Sequence, residues 1–146
     1  MTALGFDHVS VLGSTIEEIG VAKCGIFRKN SKFVISDQRA PGAMNIIKTE
    51  ASNYNNSSMI KSSEKINIPD NITRGLRGAH QHENSVTAIA NVRSILSQKL
   101  DSELNQAEIN GLQNAYWPGR SQKVSHTLSN GRVITVFIDA AHTLGK

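Results

Sequence analysis

Val133-Ile134-Thr135-Val136-Phe137-Ile138 is an apolar run that ends at Asp139-Ala140-Ala141-His142-Thr143. Its β-branched and aromatic side chains predict a buried strand, which would deliver Asp139 and His142 to the loop that follows. In open α/β sheets, ligands bind at the carboxyl ends of the strands. The run therefore predicts an α/β fold with a ligand loop beginning at Asp139.

The segment before this strand carries a second candidate binding group, the Arg120 of Trp117-Pro118-Gly119-Arg120. Pro-Gly is typical of a tight turn, and an arginine on such a turn can present its planar, permanently charged fork to a phosphate. Local sequence alone is equally consistent with an ordinary turn arginine and with Asp139 as a strand-end cap. Arg120 and Asp139 are nevertheless the strongest candidate pair in the chain.

Hydrophobic periodicity and capping residues outline the remaining elements. Ser14 or Thr15 caps a helix that we expect to run to about residue 27, and Asn130-Gly131 predicts a hairpin turn. Residues 37–73 show no regular pattern apart from a weak helix. The predicted elements are the tail of a strand at 1–6, a strand at 32–36, helices near 43–51, 83–100 and 105–114, and hairpin strands at 122–128 and 132–138.

Composition limits the classes of function. The 146 residues suit one compact domain, and a net charge of +4 without a block of like charge gives little support for a nucleic-acid binder. A single cysteine, Cys24, and the lack of a signal-peptide pattern favour a reducing compartment. We therefore expect a cytoplasmic, monomeric protein without nucleic-acid or membrane partners; the mitochondrial matrix is the alternative for a longer parent protein.

Three further polar positions stand out, each with an ordinary structural alternative. His8 follows Asp7 after the first apolar segment, where a local hydrogen-bonded pair would also explain it. Lys23 falls on the apolar stripe that begins at Ile16, so it must either extend outward or meet a buried anion. Asn84 lies near the start of the predicted helix at 83–100, where N–H groups suit an anion, although a simple helix cap is equally consistent.

Taken together, these motifs resemble the folylpolyglutamate synthases, ATP-dependent amide-forming enzymes of the Mur ligase family. The resemblance implies that His8 helps to hold magnesium. It implies that Lys23, fifteen residues further on, is a catalytic lysine that is often carbamylated. It also assigns nucleotide contacts to Asn84, Arg120 and Asp139, and a catalytic role to His142. One departure is Ala140, which stands where the family usually has glycine.

The resemblance covers residues 1–36 and 75–146 and is poor between them. It implies that residues 1–114 are the C-terminal part of a P-loop-type Mur ligase central domain, which binds ATP. Residues 115–146 would then form the first hairpin of the Mur ligase C-terminal domain. No Gly-x-x-x-x-Gly-Lys-Ser/Thr phosphate loop is present in these 146 residues. We therefore expect an internal fragment that lacks the phosphate loop and most of the C-terminal domain.

The activity that the resemblance implies is ATP- and Mg²⁺-dependent addition of L-glutamate to the γ-carboxyl of tetrahydrofolates and their polyglutamates, through an acyl phosphate. This reaction belongs to one-carbon metabolism, and we expect these 146 residues alone to be inactive. Three alternatives remain open: a dihydrofolate synthase of the same family, a catalytically dead truncated paralogue that binds only nucleotide or a partner, and, ranked last, a small basic nucleic-acid binder.

Overall fold

The computed structural model describes residues 1–54 and 59–140. Within them the chain alternates helices with short strands, as the α/β prediction requires, and no helix there is long and apolar enough to cross a membrane. The elements are α1 Val9–Leu12, α2 Ile16–Cys24, β1 Val34–Ser36, α3 Ala43–Ser52, β2 Met59–Lys61, a 3₁₀ turn Ser62–Glu64, α4 His80–Ile95, α5 Gln106–Asn114, β3 Gln122–Thr127 and β4 Val133–Ile138.

These elements form two compact units. The first contains Met1–Asn67 and Glu83–Glu103, and the second contains Ile68–His82 and the residues from Leu104 onward. Each unit holds one two-stranded sheet among the described residues: β1 pairs with β2 in parallel, and β3 pairs with β4 in antiparallel fashion.

Helix α2 begins as the sequence predicts. The Thr15 hydroxyl accepts a hydrogen bond from the backbone N–H of Glu18, and the Glu18 carboxylate accepts one from the N–H of Thr15 in return. This capping box satisfies N–H groups that have no partner within the helix. The helix ends at Cys24, about three residues earlier than predicted, because the chain turns to bring Phe27 into the core while Ile26 stays 64% exposed.

The core of the first unit lies between α2, β1 and α3. Its buried side chains come from positions far apart in sequence, and burial of apolar surface at about 25 cal/mol per Å² is what holds these short elements together. The cluster consists of Leu4, Cys24, Phe27, Val34, Ala43, Ile47 and Ala51.

Strand β2 is the element that the sequence pattern missed. Its three residues pair with β1 in the register Val34 to Met59, within a stretch that we expected to be irregular apart from one helix. The buried hydroxyls of Ser62 and Thr87 then join the end of β2 to α4 through a hydrogen bond of 3.2 Å. The expected strand at residues 1–6 is wrong: this segment lies beside β1 as irregular chain, with the Met1 amine donating to the Ile35 carbonyl.

Helix α4 is shifted relative to the predicted range of 83–100. It ends at Ile95 because Ser97 adopts a left-handed conformation with φ of 55°. The Gln98 N–H donates to the Arg93 carbonyl, and the Ser97 N–H donates to the Ser94 carbonyl. These two bonds form a Schellman motif, which closes the helix with serine at the position that glycine usually occupies.

Arg93 follows the buried Ile89 and Ala90 by four and three positions, so it lies on the same apolar stripe of α4, and it is 1% exposed. Its guanidinium donates to the carbonyls of Leu100, Ser102 and Glu103 at 2.6, 2.9 and 3.0 Å. The buried arginine therefore holds the loop that follows α4. Leu96, three residues after Arg93, is 59% exposed because the helix has already ended.

The second unit contains α5 and the hairpin, both close to their predicted positions. Asn105 and Glu108 form a capping box at the start of α5. The hairpin turns at Asn130-Gly131, where Gly131 has φ of +80°, a conformation that glycine adopts without steric cost. Strand β4 is not buried as expected: Val133 and Phe137 are 67% and 64% exposed. A two-stranded sheet leaves both of its faces open unless another layer covers them.

Candidate ATP and metal site

Asp7 and His8 form a polar corner between the N-terminal segment and α1. The Asp7 Oδ2 and His8 Nε2 atoms lie 3.5 Å apart, and the His8 side chain is 64% exposed. His8 precedes α1 in a left-handed conformation with φ of 50°, and its carbonyl accepts from the N–H groups of Val11 and Leu12. Such a conformation is costly for a residue other than glycine and tends to occur at functional positions.

Lys23 lies in the last turn of α2 and is half-buried. It belongs to the same compact unit as His8. The neighbouring Cys24 is buried, and burial raises the pKa of its thiol to about 11, with the Glu50 carboxylate adding to the shift. Cys24 therefore stays a neutral packing residue, as its place in the core requires.

The His80-Gln81-His82-Glu83-Asn84 motif forms the first turns of α4 rather than the loop before it. The helix starts at His80, and the side chains of His80 and Gln81 contact each other at 3.1 Å. Glu83 forms an ion pair with Arg39, which follows β1. Asn84 is half-buried one turn into the helix, so the alternative interpretation, in which it caps the helix, does not apply.

Arg120 and Asp139 belong to one closed corner of the hairpin. The Asp139 Oδ2 atom accepts from the backbone N–H and the hydroxyl of Ser121, at 3.0 and 2.6 Å. The Ala140 N–H donates to the Gly119 carbonyl at 2.7 Å. The residues on both sides of Arg120 are thus tied to the end of β4, while Arg120 itself is exposed.

The turn at Arg120 depends on its own residue types as well. Gly119 has φ of +72°, which favours glycine, and its N–H donates to the side-chain carbonyl of Gln122 at 3.0 Å. Gln122 also donates to the Tyr116 hydroxyl at 2.8 Å. Sequence reasoning missed Ser121, whose φ is +45°, because no local motif marks a serine that contacts a residue on the opposite strand.

Ala140 carries no left-handed strain: the described non-glycine residues with positive φ are His8, Ser97 and Ser121. The alanine methyl therefore does not impose the backbone cost that a glycine-specific conformation would. His142, the other catalytic candidate, lies outside the described residues.

The Asp7 carboxylate is the kind of oxygen donor that Mg²⁺ prefers, whereas the His8 imidazole offers a softer nitrogen donor. Mg²⁺ usually retains several waters and takes only one or two protein ligands beside the phosphates of its substrate. In residues 1–54 and 59–140 no group of three or more His, Cys, Asp or Glu side chains is placed to hold a metal ion. An Asp7 oxygen and a His8 nitrogen would be two protein ligands, which is the number expected when water and phosphate supply the others.

The sequence is similar to fungal enzymes over nearly its whole length. The probable folylpolyglutamate synthase of Schizosaccharomyces pombe is 36% identical over an alignment of 127 positions, which covers 84% of this chain and 25% of that protein. The folylpolyglutamate synthase of Candida albicans is 33% identical over an alignment of 161 positions, which covers 99% of this chain and 30% of that protein. The chain thus spans less than a third of the length of these relatives. No protein-family model matches it.

Solved structures of the same enzymes share the fold. Mycobacterium tuberculosis folylpolyglutamate synthase complexed with ADP and AMPPCP superimposes with a TM-score of 0.71 at 25% identity, covering 97% of this chain and 35% of that one. A folylpolyglutamate synthase complexed with AMPPCP and folate gives 0.69 at 21% identity, covering 97% and 37%. The α/β, Mur ligase fold prediction is therefore confirmed. By sequence and by fold, the chain is similar to a segment of the folylpolyglutamate synthases, consistent with a fragment of that family.

Proposed function

We propose that this chain supplies part of the ATP site of a ligase that adds L-glutamate to the γ-carboxyl of tetrahydrofolates. The names of its relatives and the ATP analogue, ADP and folate bound in its structural neighbours support this assignment. In this proposal residues 1–114 belong to the central ATP-binding domain and residues 115–146 begin the C-terminal domain. The enzyme would act as a monomer in the cytoplasm or mitochondrial matrix, within one-carbon metabolism.

The observation that carries the proposal is the closed corner around Arg120. Transfer of a phosphoryl group to the folate carboxylate depends on positioned positive charge, and a donor held in place before the reaction contributes most. The bonds from Ser121 to Asp139 and from Ala140 to Gly119 hold the backbone on both sides of Arg120. Arg120 can then direct its charge at a phosphate with little loss of backbone freedom.

The remaining residues take roles that follow from their chemistry. Asp7 and His8 would hold Mg²⁺, which neutralises phosphate charge when bound. Lys23, once carbamylated, would present an additional carboxylate on the metal side. Asn84 and Asp139 would contact the nucleotide. His142 would act near the transferred group.

Substitution of Arg120 tests the proposal in the complete ligase that carries this sequence. Arg120→Ala should lower ATP-dependent turnover by about 100-fold or more, since loss of one donor that stabilises the transition state costs roughly 3 kcal/mol. Arg132→Ala is the matched control, because Arg132 is also exposed and lies at the opposite end of the same hairpin. Equal turnover of the two variants would remove Arg120 from the site.

The assay is phosphate release coupled to lengthening of the folate, with MgATP, glutamate and either tetrahydrofolate polyglutamate or dihydropteroate as acceptor. Preference for dihydropteroate would favour the dihydrofolate synthase alternative, and no turnover with either acceptor would favour the inactive paralogue. The 146 residues alone should release no phosphate, because their sequence lacks the phosphate loop that supplies most donors in this chemistry.

A further inference from the structure

The side chain of Gln38 makes three hydrogen bonds, two of them with the backbone of the N-terminal segment. Its Oε1 atom accepts from the Leu4 N–H at 2.7 Å, and its Nε2 atom donates to the Thr2 carbonyl at 3.0 Å. The same Nε2 atom donates to the Ser36 hydroxyl at 2.7 Å, and Ser36 in turn donates to the Met1 carbonyl at 3.1 Å. These bonds use both ends of the amide, so its orientation is set by its partners.

This arrangement adds backbone anchoring to the N-terminal segment, whose Leu4 side chain already packs in the core of the first unit. Residues 1–4 form no strand, and Leu4 is buried at 7% exposure while Gly5 and Phe6 are exposed. Asp7 and His8 follow Leu4 directly after these two exposed residues. The direction in which the chain leaves Leu4 therefore sets where the Asp7–His8 corner begins.

Neighbours of Gln38 on the same loop contact other parts of the unit. The Asp37 carboxylate accepts from the Ser63 N–H at 2.8 Å, and Arg39 pairs with Glu83 at the start of α4. Gln38 is thus the residue of this loop whose side chain holds the segment leading to His8. Because Asp37 and Gln38 contact different segments, a substitution of Asp37 can serve as the control for a substitution of Gln38.

We propose that Gln38 is a positioning residue for the Asp7–His8 magnesium corner and acts through the backbone of Thr2 and Leu4. The inference rests on the proposed metal role of His8. Groups that hydrogen-bond directly to a metal ligand typically change metal affinity by 10- to 100-fold when they are replaced, and Gln38 acts one step further from the metal, so its effect should lie at or below the lower end of that range. Loss of the Gln38 amide should accordingly weaken Mg²⁺ binding more than it lowers turnover at saturating Mg²⁺.

The test compares Gln38→Met, Gln38→Glu and Asp37→Asn in the complete ligase. Gln38→Met keeps the length of the side chain and removes all three bonds, so the Mg²⁺ concentration for half-maximal turnover should rise severalfold, up to about 10-fold. Gln38→Glu keeps the acceptor for Leu4 and should give a smaller rise. Asp37→Asn keeps an oxygen for Ser63 and should leave the Mg²⁺ dependence unchanged.

Two measurements that do not depend on activity accompany the titration. Mn²⁺ binding in the presence of AMPPCP, followed by electron paramagnetic resonance, should weaken in parallel with the Mg²⁺ dependence. Amide hydrogen exchange at Leu4 should accelerate in Gln38→Met and remain unchanged in Asp37→Asn, because the Leu4 N–H loses its acceptor only in the first variant.

His8→Ala separates the two proposals. If His8→Ala leaves Mn²⁺ binding unchanged, the metal role of His8 is wrong, and the inference about Gln38 fails with it. If His8→Ala weakens binding while Gln38→Met and Asp37→Asn behave alike, the metal role stands and the positioning role of Gln38 is overturned.

Discussion

Replacement of Arg93 by methionine is the most direct test of how α4 and the loop after it are held. Methionine matches the length of the arginine stem but has no donor for the three carbonyls that the guanidinium contacts. Each hydrogen bond from a charged donor contributes about 1.5–3 kcal/mol. Part of this loss is recovered, because Ser102 and Glu103 are exposed and their carbonyls can take up water, and because burying a guanidinium is itself unfavourable.

The expected net loss in the free energy of unfolding is therefore about 2–4 kcal/mol. For a chain of this length such a loss lowers the melting temperature by roughly 10 °C. Urea unfolding followed by far-ultraviolet circular dichroism measures the first quantity, and a thermal scan measures the second. The stability of Arg93→Lys should lie between those of the unsubstituted protein and Arg93→Met, since one ammonium cannot reproduce the fork that reaches three carbonyls.

Arg28→Met is the matched control. Arg28 also donates to two backbone carbonyls, those of Gly25 and Phe27 at 2.5 and 2.8 Å, but it is exposed. Its loss should cost less than about 1 kcal/mol, because water replaces the missing partner. If Arg93→Met and Arg28→Met unfold at the same urea concentration, burial does not make the Arg93 hydrogen bonds contribute more to the free energy of unfolding than the exposed ones of Arg28.

Ser97→Gly should raise the free energy of unfolding by about 0.5–1 kcal/mol in urea denaturation, because glycine adopts the φ of 55° without strain, whereas Ser97→Ala should not. The hydrogen bonds from Ser14 and Thr15 lower the pKa of Glu18 below its ordinary 4.5. Their contribution to the free energy of unfolding is therefore complete above pH 4.5 and is lost as pH falls through the lowered pKa. The difference in melting temperature between the protein and Glu18→Gln should therefore shrink on acidification, and a constant difference would contradict this. With its pKa raised to about 11 by burial, Cys24 should react with iodoacetamide at pH 8 only after unfolding in urea, so rapid labelling of the folded protein would be inconsistent with its place in the core.

Several elements were predictable from sequence because their decisive contacts lie within a few residues of one another. Thr15 and Glu18 cap α2, and Asn105 and Glu108 cap α5, each pair three positions apart. The turn at Asn130-Gly131 likewise follows from local backbone preference. The family was recognisable for a similar reason, since its motifs are short and contiguous, and the Asp7–His8 pair lies within one of them.

Only the tertiary structure decided the contacts that join distant segments. Three-residue β2 pairs with β1 across α3, and a strand so short leaves no period-2 pattern for sequence analysis to detect. Arg93 occupies a position on the apolar stripe of α4, yet its burial depends on carbonyls from the following loop. The bonds that Ser121 donates to Asp139 and that Leu4 donates to Gln38 cross 18 and 34 residues. Such contacts form only when the chain closes on itself, so spacing along the sequence does not encode them.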